Sequence, residues 1–412
     1  MVLNVSHAKV KPIGFEEAIA IALQKNFDIL IAQGIRKGSL LSTRLAHLHI
    51  WLPKATFMAA QEHKWQKGTK SFDFRSDPFF TLTWELKSIF DKIFQTKINN
   101  QHHAVNTLIA RKSISDALQK VVTCYYELAL AQKKWELSST FIRIAASRLK
   151  IEEQKFKLGF VPKINFLNAD LALKEAHLAL LEEEETLKEK RRNLNLMLGR
   201  PLNEAILVQS HIPIAPIWDM HAVTKDKVVD LETAIQEKKV AIAALELKQA
   251  KAYPLSCLSL SSGFCSNGYS YNLQDKRWSN NPSSKLVKIW ITIDVGTLLL
   301  MPTEITKARI ALHNETFKLR KEKLAAEGNL EDKQWVYHHA LGLHRIAAER
   351  LKVSKQKLAF VQKAYQLNQV KLLELQEAEE VLQKSEIDTI TYAFKVKQAE
   401  CALYRLVGRF DK

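Results

Sequence analysis

From Phe15 to about residue 50, apolar positions recur at helical spacing: Phe15, Ala18, Ile19, Ala22 and Leu23, then Ile29, Ala32 and Leu40. Such a repeat turns one side of a helix toward a core. Pro53 closes the region, because its fixed φ and missing N–H stop a helix. The period then changes to two. Phe80, Leu82, Trp84 and Leu86 alternate with Thr81, Thr83, Glu85 and Lys87, which predicts a strand with one apolar and one polar face. A looser strand over 55–65 precedes it, and the turn-rich GTKSFDFRSDP joins them as a long loop. Together they predict a β-hairpin over 55–88. From about Asn99 to Leu158 the helical period returns with hardly a breaker. At 1.5 Å per residue this stretch of about 60 residues spans roughly 90 Å. No single core buries so long a helix, so partner helices must accompany it. A return helix is expected from about Ile164 to Leu198, and the proline-bearing segment 201–220 reads as a non-helical crossing.

The second half replays this plan. A helix near Leu231–Ala252 leads to Pro254, and strand-like residues follow over 255–271. The loop NLQDKRWSNNPSS comes next. In the clearest strand of all, Val287, Ile289, Ile291, Ile293 and Val295 alternate with Lys288, Trp290, Thr292 and Asp294. A long helix from about Thr303 to Leu367 and a last one ending at Gly408 complete the half. The two halves also match residue by residue. An ungapped offset of 209 residues pairs Leu149 with Leu358, Phe156 with Tyr365, Leu158 with Leu367, Val161 with Val370, Ala169 with Ala378, Leu173 with Leu382 and Gly199-Arg200 with Gly408-Arg409. Two copies half a chain apart imply a duplicated architecture. The expected repeats are 1–209, with β-hairpin 55–88 and helical hairpin 99–199, and 210–412, with β-hairpin 255–299 and helical hairpin 303–408. The hairpins break at Gly159–Pro162 and Asn368–Val370, where Gly and Asn tolerate the left-handed conformation that ends a helix.

The expected fold class is therefore mainly α with membrane β. Four amphipathic strands have open edges on their own, and closure into a membrane barrel removes them. Four strands cannot close a barrel, so several chains must contribute.

Composition narrows the reading. Only 12 Gly and 10 Pro occur in 412 residues, and the Leu, Ala, Lys, Glu and Gln content is that of long helices and coiled coils. The 61 Lys and Arg against 44 Asp and Glu give a formal net charge of +17. These cations are interleaved with Glu, the pattern of a solvated face, and no basic patch interleaved with aromatics argues for nucleic acid. None of Cys124, Cys257, Cys265 and Cys401 makes a zinc spacing. His102-His103, His338-His339 and His344 lack ligand geometry, since adjacent residues on a helix point apart. A Gly-rich phosphate loop, a Ser elbow and HExxH are all absent, so neither an enzyme nor a cofactor is expected. No run of about 18 apolar residues suggests a transmembrane helix. Residues 1–14 carry no apolar signal-peptide core, so the expectation is a mature chain, a start upstream, or a cytoplasmic protein.

The chain resembles the TolC family of outer-membrane efflux and secretion channels. The likeness rests on Lys157-Leu158-Gly159-Phe160-Val161 with Asn165, Asn168 and Ala169, and on Tyr365–Val370 with Glu374 and Glu377. It extends to the Leu198–Pro201 and Leu406–Arg409 ends, the Leu52-Pro53 and Tyr253-Pro254 junctions, and Ala18–Leu23 running into Asn26-Phe27-Asp28-Ile29. Departures are Asn368 for a glycine, Val370 for an arginine and Asn165 for an acid. The resemblance implies a homotrimer in which each protomer gives four strands to one twelve-stranded barrel in the outer membrane. It also implies a periplasmic barrel of twelve helices, a periplasmic adaptor and an inner-membrane transporter as partners. On this reading the chain is the passive exit duct of a tripartite efflux pump or a type I secretion system. A soluble coiled-coil scaffold and a basic nucleic-acid-binding protein are the alternatives; the first does not explain the alternating strands at 80–86 and 287–295, and the second predicts aromatics interleaved with a basic patch, of which none is evident.

The site residues follow from that resemblance. Glu374 and Glu377, at i, i+3, can face the same way and in a trimer would ring the pore with carboxylates that favour cations. The alternative is a solvated helix face beside Glu379 and Glu380. Tyr365 and Asn165 would join this constriction, or, for Tyr365, simply pack between helices. Leu158, Gly159, Phe160 and Val161, with Leu367, Asn368 and Gln369, would form the adaptor-binding tips, against the alternative of a plain helix-turn cap. Phe80, Leu82, Trp84, Leu86, Ile289, Ile291 and Ile293 are expected to face outer-membrane lipid, and Thr81, Thr83, Glu85, Trp290, Thr292 and Asp294 the lumen.

Overall fold

The computed structural model describes residues 12–52, 54–65, 72–216, 230–252, 258–265, 268–272, 277–281, 284–291, 295–367 and 369–407. In chain order these form α1 (Phe15–Lys25), α2 (Phe27–Trp51), β1 (Lys54–Trp65), β2 (Phe72–Glu85), α3 (Leu86–Lys157) and α4 (Lys163–Met197). They continue with α5 (Leu231–Ala252), β3 (Leu258–Cys265), β4 (Gly268–Asn272), β5 (Arg277–Asn281), β6 (Ser284–Ile291), α6 (Val295–Gln366) and α7 (Leu372–Val407). By contacts the chain divides into two compact units. Unit 1 is 1–34, 109–231 and 324–412; unit 2 is 35–108 and 232–323. Each unit draws on both halves of the sequence.

Several boundaries differ from expectation. The helical region over 15–50 is two helices, because Asn26 caps both. Its N–H closes α1 on the Ala22 carbonyl, and its Oδ1 accepts from the Ile29 N–H at the start of α2 at 3.2 Å, one of the orphan donors that a side-chain cap satisfies. Its Nδ2 also donates to the Met197 carbonyl at 2.7 Å. The long helices begin earlier than the pattern indicates, at Leu86 and Val295, so Leu86 opens α3 and does not end a strand. Among the described residues no single helix is long and apolar enough to cross a membrane.

Unit 2 carries the strands. β1 and β2 form a long antiparallel hairpin from Lys54↔Thr83 to Trp65↔Phe72. Residues 72–78, expected as loop, belong to β2: Phe72 and Phe74 already alternate with Asp73 and Arg75, a period that the charges and Pro78 obscure. Likewise the expected loop after residue 271 contains β5. β3 pairs with β6 from Leu258↔Ile291, and β4 with β5 to Asn272↔Arg277 in the same register, so the four pieces are one interrupted hairpin. β2 binds this second hairpin through β3 and β4. Between Ser76↔Tyr269 and Phe79↔Cys265 the register slips by one residue, a bulge-like count, at Pro78, which has no N–H for a ladder. Among the described residues β1 pairs only with β2, and β6 only with β3. Both sides of the sheet therefore end in unpaired edges.

The helices of unit 2 pack separately. Ile98 and Val105 of α3 bury against Ile235 and Ile242 of α5. Gln236 donates to Glu315 Oε2 at 2.6 Å.

Unit 1 holds the main core, where Ala18 and Ala22 of α1 meet Val121, Val122, Leu128, Leu194 and Leu198. Phe15 stacks on Tyr126 and meets Tyr125 edge-on. The crossing segment is pinned by Asn195 Nδ2, which donates to the carbonyls of Leu202 and Glu204, and by a parallel bridge between Ile13 and Val208. Gly199 ends α4 in the left-handed region, at φ 62°. Its N–H bonds the Leu196 carbonyl while the Arg200 N–H bonds that of Asn195, the paired Schellman geometry. A Cβ there would stand 2.4 Å from the Lys25 carbonyl oxygen, so glycine is required twice over.

The α6–α7 hairpin closes on small residues. Ala340, Ala347 and Ser354 recur every seven residues and are buried, and Ser354 Oγ meets Ser385 Oγ at 3.0 Å. Seven-residue spacing is that of a left-handed coiled coil, and small side chains let the two backbones approach.

Candidate functional site

The two helical-hairpin turns lie together at one end of unit 1. At the first, α3 ends in a Schellman motif: the Gly159 N–H bonds the Phe156 carbonyl and the Phe160 N–H that of Lys155, both at 2.9 Å. Gly159 has φ 78° with open space where a Cβ would be, so backbone conformation alone demands glycine here. Pro162 precedes α4 in an extended conformation. At the second turn the Gln369 N–H bonds the Ala364 carbonyl at 2.9 Å, the same six-residue loop. Residue 368 lies outside the described residues.

These turns hold apolar side chains in solvent. Leu158 is 70 %, Phe160 76 % and Leu367 68 % exposed, while Val161 is half-buried and Gln369 exposed. Three large apolar side chains are thus gathered on the surface of the two turns. Phe160, Val161, Asn165 and Tyr365 line one groove with Val370 and Leu373, so the turns and two of the expected constriction residues share one space.

Just above the turns, a polar cluster ties α3 to α6. The Tyr365 hydroxyl donates to Glu152 Oε1 at 2.6 Å and accepts from Lys155 Nζ at 3.1 Å. Lys155 also pairs with Glu152 at 3.5 Å and lies 4.4 Å over the Tyr365 ring. Glu152 is fully buried, and its Oε2 has no hydrogen-bond partner. Burial, then the hydrogen bond to Glu152, raises the Tyr365 pKa. Burial opposes the charge on Lys155, but its bonds to Tyr365 and the nearby Glu152 carboxylate hold its pKa above the ordinary value. A second tie joins α3 to α7: Arg148 is ion-paired with Glu379, both side chains mostly buried. Glu379 is thus not part of the solvated face that the alternative reading drew beside Glu374 and Glu377. Sequence reasoning missed Glu152, Lys155 and Arg148. Their one legible signal was the i, i+3 spacing of Glu152 and Lys155; their partners come from another hairpin.

Glu374 and Glu377 stand on α7 with Leu372, Leu375 and Ala378 buried and both carboxylates exposed. The apolar stripe and the acidic positions therefore occupy different faces. Neither carboxylate forms an ion pair among the described residues.

In the sheet, register decides which positions share a face, because directly paired residues point the same way. Phe57, Phe80 and Phe264 form one row, and Trp84, Leu260 and Ile289 another; Leu82 pairs with Ala55, and Ile291 with Leu258. The opposite face carries Thr56 with Thr81, Thr83 with Ser261 and Lys288, and Glu85 with Ser259 and Trp290. Ile293, Thr292 and Asp294 lie outside the described residues.

Deep in unit 1 is one arrangement the sequence did not announce. Lys397 and Glu400 are both fully buried and 2.7 Å apart, and Lys397 Nζ also donates to the Ala215 carbonyl at 2.6 Å. Burial beside Glu400 pushes the neighbouring Cys401 thiol up to about 12, which leaves it protonated and inert.

No family model matches the chain, and no curated protein matches it in sequence. Its fold does match solved structures. The Campylobacter jejuni CmeC outer membrane channel aligns with a TM-score of 0.75 at 12% identity, over 95% of this chain and 85% of that one. The open state of the Neisseria gonorrhoeae MtrE outer membrane channel aligns at 0.77 and 12% identity, over 95% and 88%. The outer membrane protein VceC of Vibrio cholerae aligns at 0.74 and 13% identity, over 95% of each chain.

Proposed function

We propose that this chain, whose fold is that of the TolC-type outer-membrane channels, is itself the exit duct of an export assembly in the outer membrane. The observation that carries this reading is the sheet. Two hairpins with one apolar and one polar face end in unpaired edges on both sides. An open amphipathic sheet is an aggregation hazard in water and untenable in lipid. Three copies joined edge to edge give a closed barrel of twelve strands, with Phe80, Leu82, Trp84, Ile289 and Ile291 toward lipid and Thr81, Thr83, Glu85 and Trp290 toward the lumen. The two sequence repeats, 1–209 and 210–412, each supply one β-hairpin and one helical hairpin to it.

The helical hairpins extend into the periplasm and end in the apolar turns. Leu158, Gly159, Phe160, Val161, Leu367, Asn368 and Gln369 receive a periplasmic adaptor, which couples the duct to an inner-membrane transporter. The assembly is a tripartite efflux pump or a type I secretion system. The duct does no chemistry and needs no cofactor; energy comes from the transporter. Glu374 and Glu377, with Tyr365 and Asn165, narrow the periplasmic mouth. Opening that mouth moves the hairpins apart, which requires breaking the Tyr365–Glu152 bond or the Arg148–Glu379 pair.

The test is direct. The chain, expressed with an export signal and extracted from outer membranes, should form trimers that conduct ions across a planar bilayer. Charged replacements of Gly159 or Phe160 should abolish efflux and leave those trimers intact. A monomeric chain in the soluble fraction, with no conductance, would remove the duct reading.

A further inference from the structure

Paired positions run across the sheet as rows, and the rows of its polar face differ in charge. Toward Trp65 and Phe72, opposite charges occupy directly paired positions: Glu62 with Arg75, and Lys64 with Asp73. Asn272 links Asp73 to Arg277 in the same row. Opposite charges set across neighbouring strands attract. Toward Glu85, one row has no acid. Lys54 pairs with Thr83, Thr83 with Ser261, and Ser261 with Lys288. The row therefore begins and ends in lysine and holds two hydroxyl residues between. Over the four rows of this face from Phe79 to Glu85, Glu85 is the only acid among the described residues. One carboxylate does not neutralise two lysines, so the band keeps a net positive charge.

The row also stands where a charge has most effect. On the opposite face its flanking rows are Ala55, Leu82, Ser262 and Val287 on one side and Trp84, Leu260 and Ile289 on the other. These are the rows assigned above to lipid. A charge on a wall backed by low-dielectric material has its field lines focused into the water it faces. The basic excess is regional as well. Unit 2, which bears the sheet, holds 25 Lys and Arg against 13 Asp and Glu, whereas unit 1 holds 36 against 31. Most of the net charge of +17 thus belongs to the sheet-bearing unit.

We propose that the row of Lys54, Thr83, Ser261 and Lys288 is an anion filter in the lumen at membrane depth, favouring solutes that carry carboxylate or phosphate groups. It rests on the duct reading, since only a closed barrel turns this row toward an aqueous pore. Three copies bring six lysines to one level, and Lys54 and Lys288 stand on the two edge strands, so each joint between copies has a lysine-bearing strand on both sides. Twelve strands about 4.8 Å apart and tilted about 40° close at a backbone radius of roughly 12 Å. A lysine reaching about 6 Å inward leaves about 6 Å to the axis, less than the Debye length of about 10 Å at 0.1 M salt. An ion on the axis therefore feels the ring at that ionic strength. Rings of lysine favour anions as rings of carboxylate favour cations, and the Thr and Ser hydroxyls are further donors to an anion. The acidic mouth proposed at Glu374 and Glu377 acts in the opposite sense, and mutation separates the two.

The experiment uses the full chain as single channels in a planar bilayer. The chloride-to-potassium permeability ratio is read from the reversal potential in a KCl gradient near about 0.1 M, where screening is incomplete. Lys54→Gln with Lys288→Gln should lower that ratio by about threefold or more, whichever ion the whole duct prefers. Lys54→Arg with Lys288→Arg keeps the charge and should keep the ratio. In a Glu374→Gln, Glu377→Gln background the lysines should leave the duct preferring chloride, and that preference should fade as KCl rises toward about 1 M. Inorganic phosphate should reduce the chloride current of the unaltered duct and spare that of the Lys54→Gln, Lys288→Gln variant. A ratio unchanged in the glutamine variant, or an equal fall in the arginine variant, would overturn the filter and leave the duct standing. So would a chloride current through the unaltered duct that phosphate does not change, an arm that needs no variant. An unaltered chain that never conducts would overturn the duct reading and the filter with it.

Discussion

Replacing Tyr365 with Phe isolates one hydrogen bond at the mouth. The ring stays, but Glu152 Oε1 loses its 2.6 Å donor, and Lys155 loses its 3.1 Å acceptor. Glu152 is wholly buried, and its second oxygen is already unpartnered. The carboxylate would then depend on Lys155 at 3.5 Å. A hydrogen bond to a charged group is worth about 1.5–3 kcal/mol. With a middle value of about 2 kcal/mol, the locally opened turn becomes roughly thirtyfold more populated, since about 1.4 kcal/mol is tenfold. Native-state amide exchange over residues 150–157 and 362–367 should read that factor, with residues around Val121 unchanged. Glu152→Gln keeps an acceptor for the hydroxyl and should lose less, about 1 kcal/mol. The pKa shifts fix a pH window. Lys155 is held above its ordinary 10.5, so its contribution is complete below that pH and is lost as pH rises through its folded value. Tyr365 is held above 10.0, so the unfolded chain releases its phenol proton first and stability again falls as pH rises. Both act only in the alkaline range. Exchange rates in Tyr365→Phe within about twofold of the parent would refute the claim that this cluster restrains the turn.

Three further outcomes test other parts of the molecule. The pair Glu374→Gln and Glu377→Gln should remove cation preference and cation block in single-channel recordings with little change in trimer stability; unaltered selectivity would return both residues to an ordinary solvated face. Arg placed at Ile291 should cost roughly 2–4 kcal/mol of membrane stability if that row lies near the bilayer midplane, and insertion indistinguishable from the parent would count against the barrel. Gly199→Ala should lower thermal stability by about 1–3 kcal/mol, the cost of a strained backbone position, because the new methyl would meet the Lys25 carbonyl; a melting temperature equal to the parent's would mean that α1 can move aside.

The sequence by itself determined the local elements. Period and breakers revealed the long helices and their two turns, and alternation revealed the cores of the strands at 80–84 and 287–291. Both signals are local, since each depends only on which side of a helix or strand is apolar. What the sequence left undecided was set at long range. Residues 72–78 are strand because the distant β4, together with the adjacent β1, holds them in register, and their own polar content conceals it; 277–281 are held by the neighbouring β4. Asn26 divides one apparent helix in two by binding residues on both sides of itself and the Met197 carbonyl. The turn residues were legible as turns, because Gly159 and Pro162 allow little else. Their polar restraint was not, because Glu152 and Tyr365 stand 213 positions apart and nothing local joins them. The same holds for Lys397, whose charge suggests a surface and whose burial follows from Glu400 and the Ala215 carbonyl. Periodicity fixes which side of an element is apolar; only the packed structure decides what that side meets, because the meeting partners are brought together by the whole chain.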